Sequence, residues 1–275
     1  MNIDTIDFAN IKLSDEIGEG TFGKVYKAQW RNKCVAVKRI YLNVNEEYVE
    51  REFKQLSRAN HINIIFLHGI SIHEDIHYLI MEYADGGSLF NFLHKVPRLE
   101  YSLNHVINWA LQAAKGAAYL HSMTPHSVIH RDLKPHNMLL HDKRSCLKIC
   151  DFGTVRYMSS MMTKNSGTAA YMAPEVFNGE RYTTKCDVFS WSITMWELQS
   201  RKVPYEAISP ELAVCQKVDK EGLRPPMSQL IFDCPEDIQK LMTDGWQADP
   251  NKRPSMNDII EVLNKYPIDV DQLKL

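Results

Sequence analysis

The apolar residues of this chain change their period once, and that change limits what it can fold into. Up to about residue 84 they mostly alternate or form short β-branched runs; beyond Ser88 they recur every three or four residues. "IKLSDEIG", "KVYKAQW" and "CVAVKRI" read as strands, and "INIIFLHGI" and "IHYLIMEYA" as two more. One helix interrupts them: in "NEEYVEREFKQLSRAN", Val49, Phe53 and Leu56 stand at helical spacing, with Glu46 and Glu47 in the first turn. The break is "DGGS", Asp85 to Ser88, read as a hinge. After it, "YSLNHVINWALQAAKGAAYLHS" is a long amphipathic helix. "TTKCDVFSWSITMWELQS" is apolar nearly all round and should be buried. Helical patterns also fit 210–218, 235–245 and 254–264, with strand-like "NMLL" and "CLKIC" between. The expected class is α+β and bilobal: a strand-rich N-lobe with one helix, then a larger helical C-lobe. The 275 residues suffice for two cores, and a cleft between lobes suits a ligand.

Several function classes are disfavoured. A net charge of −2 gives no electrostatic case for nucleic acid or an anionic membrane. No apolar run approaches the ~20 residues of a membrane span. The start, "MNIDTIDFANIK", has no basic region followed by an apolar one, so it does not read as a secretory signal. Cysteines 34, 146, 150, 186, 215 and 234 show no CxxC spacing, which fits a reducing, cytoplasmic setting.

Two stretches ask for a chemical explanation. "VIHRDLKPHNMLL", Val128 to Leu140, packs Asp132, Lys134 and Asn137 between apolar flanks, and Pro135 blocks a regular helix there. "IGEGTFGKV" places Gly18, Gly20 and Gly23 in G-x-G-x-x-G-x-V between two strands. Glycines let backbone N–H groups approach phosphate oxygens, so a hairpin lid over a nucleotide fits. Fifteen residues after Gly23 comes Lys38 in "VAVK". It shares a strand face with the small Ala36, and Val35 and Val37 take the other. Glu52 borders the core-facing stripe of the expected helix, so a Lys38–Glu52 ion pair would aim the amine at phosphate.

Together with "DFG", "MAPE" and "DPNKRPS", these stretches resemble the protein kinase family over about Ile11 to Tyr266, in the family's order. The resemblance implies a catalytic domain over 11–266, with an N-lobe at 11–83, a hinge at 82–87 and a C-lobe at 88–266. A short tail follows at 267–275. It implies ATP and Mg²⁺ as cofactors. Asp132 would take or orient the proton of the substrate hydroxyl, and Lys134 would stabilise the transferring phosphate, with Lys38 and Glu52 in support. Asn137 and Asp151 would hold magnesium with hard oxygen ligands. The nucleotide would lie against Ile17, Gly18, Glu19, Gly20, Thr21, Phe22, Gly23, Lys24 and Val25. Val25, Ala36 and Leu139 would enclose adenine, with Met81 behind it and Glu82 and Ala84 offering backbone groups. His130 and Phe152 would stack with Leu56 and Leu67, Asp187 would brace the catalytic loop, and Glu175 would pair with Arg253.

Lys134 and Thr168 point to serine/threonine acceptors. Thr163 is the expected activating phosphosite, with Ser160 and Thr168 as further candidates and Arg131 as the phosphate's partner. "MEYADGGSLFNFLH", "YLHSMTP", "LKICDFGT" and "KCDVFSW" resemble the TGF-β-activated kinase branch of the MAP kinase kinase kinases. That branch implies MAP kinase kinases as substrates and an adaptor or activator protein as partner, in stress or immune signalling. The chain ends ten residues after Lys265, short of an adaptor-binding C-terminal region. The competing reading is a pseudokinase scaffold; the intact set Lys38, Glu52, Asp132, Asn137 and Asp151 argues for turnover. The departures are "HIN" for the usual "HPN", Ser192 in place of a glycine, and "IHEDIHY", read as lengthening the connection before the hinge.

Overall fold

Alternation of β-branched and small residues builds the five strands between residues 11 and 82 into one antiparallel sheet. The computed structural model describes residues 5–20, 22–42, 44, 53, 56–125, 127–151 and 169–273. Strands β1 (Ile11–Gly20), β2 (Gly23–Trp30), β3 (Lys33–Ile40), β4 (Leu67–His73) and β5 (Ile76–Glu82) lie in the order β1-β2-β3-β5-β4. Val35 and Val37 are fully buried on one face with Ile11, Ala28, Trp30 and Ile80. The segment before β1 closes this small core: Ile6 is buried and donates its N–H to Ile70 O, and Phe8 stacks on His73.

Two expectations change in detail. "IHEDIHY" does not lengthen a connection. Glu74 and Asp75 have φ of 50° and 60°, the two-residue turn whose twist matches a tight hairpin. The strand expected from residue 62 starts at Leu67, because 62–66 is tied to the other lobe: Ile65 N–H donates to Ile149 O and Ile149 N–H to Asn63 O. Of the expected helix before it, Phe53 and Leu56 are described. The Phe53 carbonyl accepts Ser57 N–H, and Leu56 is buried. Glu52 lies outside the described residues.

Past a two-residue strand β6 (Gly87–Ser88), the chain is helical: α1 (Leu89–His94), α2 (Leu103–Ser122), α3 (Pro174–Phe177), α4 (Lys185–Ser200), α5 (Glu211–Lys220), α6 (Glu236–Gly245) and α7 (Met256–Leu263). The hairpin β7 (Met138–His141) and β8 (Cys146–Ile149) pairs with β6 beneath the first sheet. Helix α4 is the hub: every residue from Cys186 to Ser200 is buried. Ser192 is accommodated because Gly245 faces it. A Cβ at Gly245 would come within 1.9 Å of Ser192 Oγ. The stretch after Tyr266 packs back on α2, with reciprocal Asn104–Asp269 bonds and Leu273 buried.

Candidate active site

The Gly-rich hairpin joins β1 to β2, with Gly20 opposite Gly23. Its glycines have different reasons. A Cβ at Gly23 would meet Arg39 O at 2.1 Å, so Gly23 is required by the approach of β3. No atom lies within 4 Å of a Cβ built on Gly18, and only Gly23 O at 4.0 Å on Gly20, so their open side can admit a ligand. Phe22 O accepts Tyr41 N–H, which stitches the tip to the end of β3. Lys24 Nζ bonds Glu16 at 2.9 Å and Tyr41 Oη donates to Glu19 at 2.5 Å, so these two expected nucleotide contacts are engaged along the hairpin rim. Ile17 is exposed, and Thr21 lies outside the described residues.

Register places the other expected nucleotide contacts. Val25 pairs with Lys38 and Ala36 with Met81 across the sheet. Leu139 comes from β7, in the other lobe. Glu82 and Ala84 follow at the end of β5 and beyond it, both half-buried. Lys38 is buried beside Ala36, and its Nζ reaches Asp151 Oδ1 at 3.3 Å. Burial pushes the Asp151 carboxyl up, but the charge and hydrogen bond of Lys38, with Lys134 behind it, outweigh that and the net shift is downward. Asp151 is therefore held as a carboxylate.

The Asp132 loop is built from beneath. Asp187, fully buried at the start of α4, accepts His130 N–H at 2.9 Å and Arg131 N–H at 2.7 Å, and bonds His121 Nε2 at 2.8 Å. Arg131 has φ 67°, the left-handed region that a non-glycine residue keeps only when its surroundings dictate it. Asp132 N–H donates to His130 Nδ1, so Nε2 carries the proton donated to Cys150 O at 3.0 Å. Pro135 starts a single 3-10 turn, Pro135–Asn137, which swings Asn137 back onto Asp132. The Asn137 amide nitrogen donates to Asp132 O at 2.9 Å and to Oδ2 at 2.8 Å, and Lys134 Nζ lies 2.9 Å from Oδ2. Asp132 Oδ1 is buried with no hydrogen-bond partner among the described residues. Burial pushes the Asp132 carboxyl up against the pull of Lys134. Cys150 N–H donates to Asn137 O, which brings Asn137 beside Asp151.

Asp132, Lys134, Asn137, Asp151 and Lys38 thus converge. Phe152, Ser160, Thr163 and Thr168 lie outside the described residues. Arg131 already has a partner in the described structure, because its guanidinium sits 4.3 Å over the Tyr182 ring.

A family model described as protein tyrosine and serine/threonine kinase matches residues 11–263. The chain belongs to this family. It is 52% identical over 260 residues to mitogen-activated protein kinase kinase kinase 7 of Drosophila melanogaster, covering 94% of this chain and 38% of that protein. The human protein of the same name is 46% identical over 265 residues, covering 96% and 43%. A second Drosophila protein, a putative mitogen-activated protein kinase kinase kinase 7-like, is 41% identical over 268 residues, covering 94% and 67%. The chain spans about two fifths of the length of the first two relatives.

Within this kinase fold, one ion pair escaped the sequence reading. Lys148 Nζ lies 2.9 Å from Glu82 Oε2 and donates to Ile62 O at 2.9 Å, tying the end of β5 to β8 just ahead of Asp151. The signal was there: a lysine inside the short apolar run "CLKIC". Lys148→Met removes two bonds to a buried ammonium and should cost about 1.5–3 kcal/mol of stability. The melting temperature should fall and the KM for ATP rise as the end of β5 comes loose from β8. A variant with both values unchanged would show the pair to be idle.

Proposed function

We propose that this chain is the catalytic domain, over 11–266, of a serine/threonine protein kinase that moves the ATP γ-phosphate to hydroxyls of MAP kinase kinases. N-lobe, hinge and C-lobe divide at 11–83, 82–87 and 88–266. The observation that carries the reading is the convergence of Lys38, Asp132, Lys134, Asn137 and Asp151 in one cleft, on a chain whose relatives are named as MAP kinase kinase kinases.

The residues fit a divalent cation. Both nitrogen bonds of the Asn137 amide point at Asp132, so its oxygen faces away from it, and Asp151 is a carboxylate beside it. Asn137 and Asp151 would hold Mg²⁺, a hard ion that takes such oxygens and would neutralise phosphate charge. Lys38 would pair with phosphate oxygens, Asp132 would accept the hydroxyl proton through its open Oδ1, and Lys134 would meet the charge of the transferring group. The Gly18–Gly20 side of the hairpin would cover the phosphates, and Ile17, Val25, Ala36, Met81 and Leu139 would enclose adenine. Glu52 would pair with Lys38. Thr163, with Ser160 and Thr168, would carry regulatory phosphate. Lys134 in the acceptor loop supports serine/threonine over tyrosine. The cysteines of the chain are free, and among the described residues no helix is long and apolar enough to cross a membrane. Free thiols are what a reducing cytoplasm leaves, so the kinase is placed there, and an adaptor or activator protein as partner is proposed from the resemblance to the MAP kinase kinase kinases alone.

The test is phosphorylation of a purified MAP kinase kinase with Mg-ATP, wild type beside Lys38→Met. The expected result is transfer by the wild type and near-background signal from the variant. Equal signal from both would sink the enzyme reading.

A further inference from the structure

The hairpin that would cover the phosphates carries two acids. Glu16 and Glu19 stand in β1 on either side of Gly18, and a carboxylate turned toward a triphosphate is repelled by it. Strand register keeps both off the nucleotide side. Gly18 pairs with Val25 and Gly20 with Gly23, whereas Glu19 pairs with Lys24. Successive residues of a strand point to opposite faces, so Glu19 and Lys24 take the face away from Gly18, Gly20 and Val25. Val25 pairs in turn with Lys38, and Lys24 with Arg39. Lys38 thus shares the face of the two glycines, and Arg39 the face of Glu19. The irregularity between Glu16 and Gly18 adds one residue to β1 and brings Glu16 to this outer face as well, opposite Tyr26.

Tyr41 secures the arrangement from the end of β3. Its hydroxyl donates to Glu19 Oε1 at 2.5 Å, and its N–H donates to Phe22 O at 3.0 Å. One residue, three after Lys38, therefore holds both the tip of the hairpin and the carboxylate behind it. Lys24 is shared between the two acids and stands nearer Glu16: its Nζ lies 2.9 Å from Glu16 Oε2 and 4.0 Å from Glu19 Oε1. The Glu19 side chain is 57% exposed, so its bonds and not its packing confine it. Glycines flank it on both sides, and the backbone that carries it can turn without steric cost.

We propose that Tyr41 is a positioning residue for the nucleotide. It holds the Glu19 carboxylate on the outer face of the hairpin, away from the phosphates, and ties the lid to the strand that carries Lys38. The proposal rests on the kinase reading above, with the Gly18–Gly20 side as the phosphate side. Without the Tyr41 hydroxyl, Glu19 can swing inward and meet the triphosphate with a like charge.

The experiment is steady-state kinetics of the chain with Mg-ATP and a purified MAP kinase kinase, using Tyr41→Phe, Glu19→Gln and the double variant. Tyr41→Phe keeps the ring and the backbone bond to Phe22, so only the hydroxyl is lost. The expected result is a KM for ATP raised about fivefold, with the KM for the protein substrate within about twofold. The ratio of variant to wild-type KM for ATP should shrink as salt rises from about 0.01 to about 0.15 M, where the Debye length falls from ~30 to ~8 Å. Glu19→Gln alone should lower the KM for ATP about twofold, since the lid then carries one negative charge less. Added to Tyr41→Phe, it should return that KM to the wild-type range. A merely structural bond gives no such rescue, because the glutamine leaves it broken. An unchanged KM for ATP in Tyr41→Phe overturns the proposal, and so does a penalty that persists in the double variant. Absence of transfer by the wild type overturns the kinase reading itself, and this inference falls with it.

Discussion

Asp132→Asn lowers kcat by about 10²–10⁴-fold while nucleotide binding survives. The substitution keeps size and shape, and one amide oxygen can still accept from Lys134 and Asn137. It removes the ability to take a proton. Asp132 Oδ1, buried and without a partner among the described residues, is the oxygen that can meet a substrate hydroxyl. The Lys38–Asp151 contact and the Gly-rich hairpin are untouched by the change, so Mg-ATP should still raise the melting temperature of the variant. Loss of that shift together with activity would mean that Asp132 supports the nucleotide site rather than the transfer.

The pH dependence follows from the same group. Burial raises the Asp132 carboxyl above its ordinary 3.8, and Lys134 opposes that shift. A base must be ionised to act, so kcat/KM should fall as pH drops through this raised value. The acid limb of the wild-type profile should therefore lie above 3.8, and the residual activity of Asp132→Asn should lack it.

Much of this was legible because the relevant residues sit where short-range rules operate. The alternation in "VAVK" separated Val35 and Val37 from Ala36 and Lys38, and the sheet keeps that division. The all-round apolarity of 183–200 marked α4 as the buried hub. Pro135 announced the turn that brings Asn137 back to Asp132. What was not legible depends on pairs far apart in sequence. The Lys148–Glu82 pair spans two lobes. The meeting of His94, Tyr171 and Glu197 needs three elements to pack first. The two-residue turn at Glu74 and Asp75 was misread because its residues are not the glycine and asparagine that usually mark positive φ.

Arg253→Met should cost about 3–5 kcal/mol, the range for breaking a buried ion pair and stranding its partner. Arg253 is 1% exposed and uses its whole guanidinium. Nη1 donates to Glu175 Oε1 at 2.6 Å and to Lys185 O at 3.0 Å. Nη2 donates to Glu175 Oε2 at 2.8 Å and to Ala248 O at 3.2 Å, and Nε donates to Gln247 O at 2.8 Å. Lys185 returns a bond to Arg253 O. One side chain thus holds together the starts of α3 and α4 and the loop before α7. Methionine fills much of the volume but leaves Glu175, 5% exposed, as an unpaired carboxylate and three carbonyls without donors. At ~2–4 °C per kcal/mol for a domain of this size, the melting temperature should fall by about 6–20 °C. Arg253→Lys should recover little, because an ammonium cannot reproduce the planar fork that meets both carboxylate oxygens. The double variant Arg253→Met/Glu175→Met should recover a large part of the loss, since it removes the stranded charge. A double variant as unstable as Arg253→Met would place the cost in the three carbonyl bonds rather than in the ion pair.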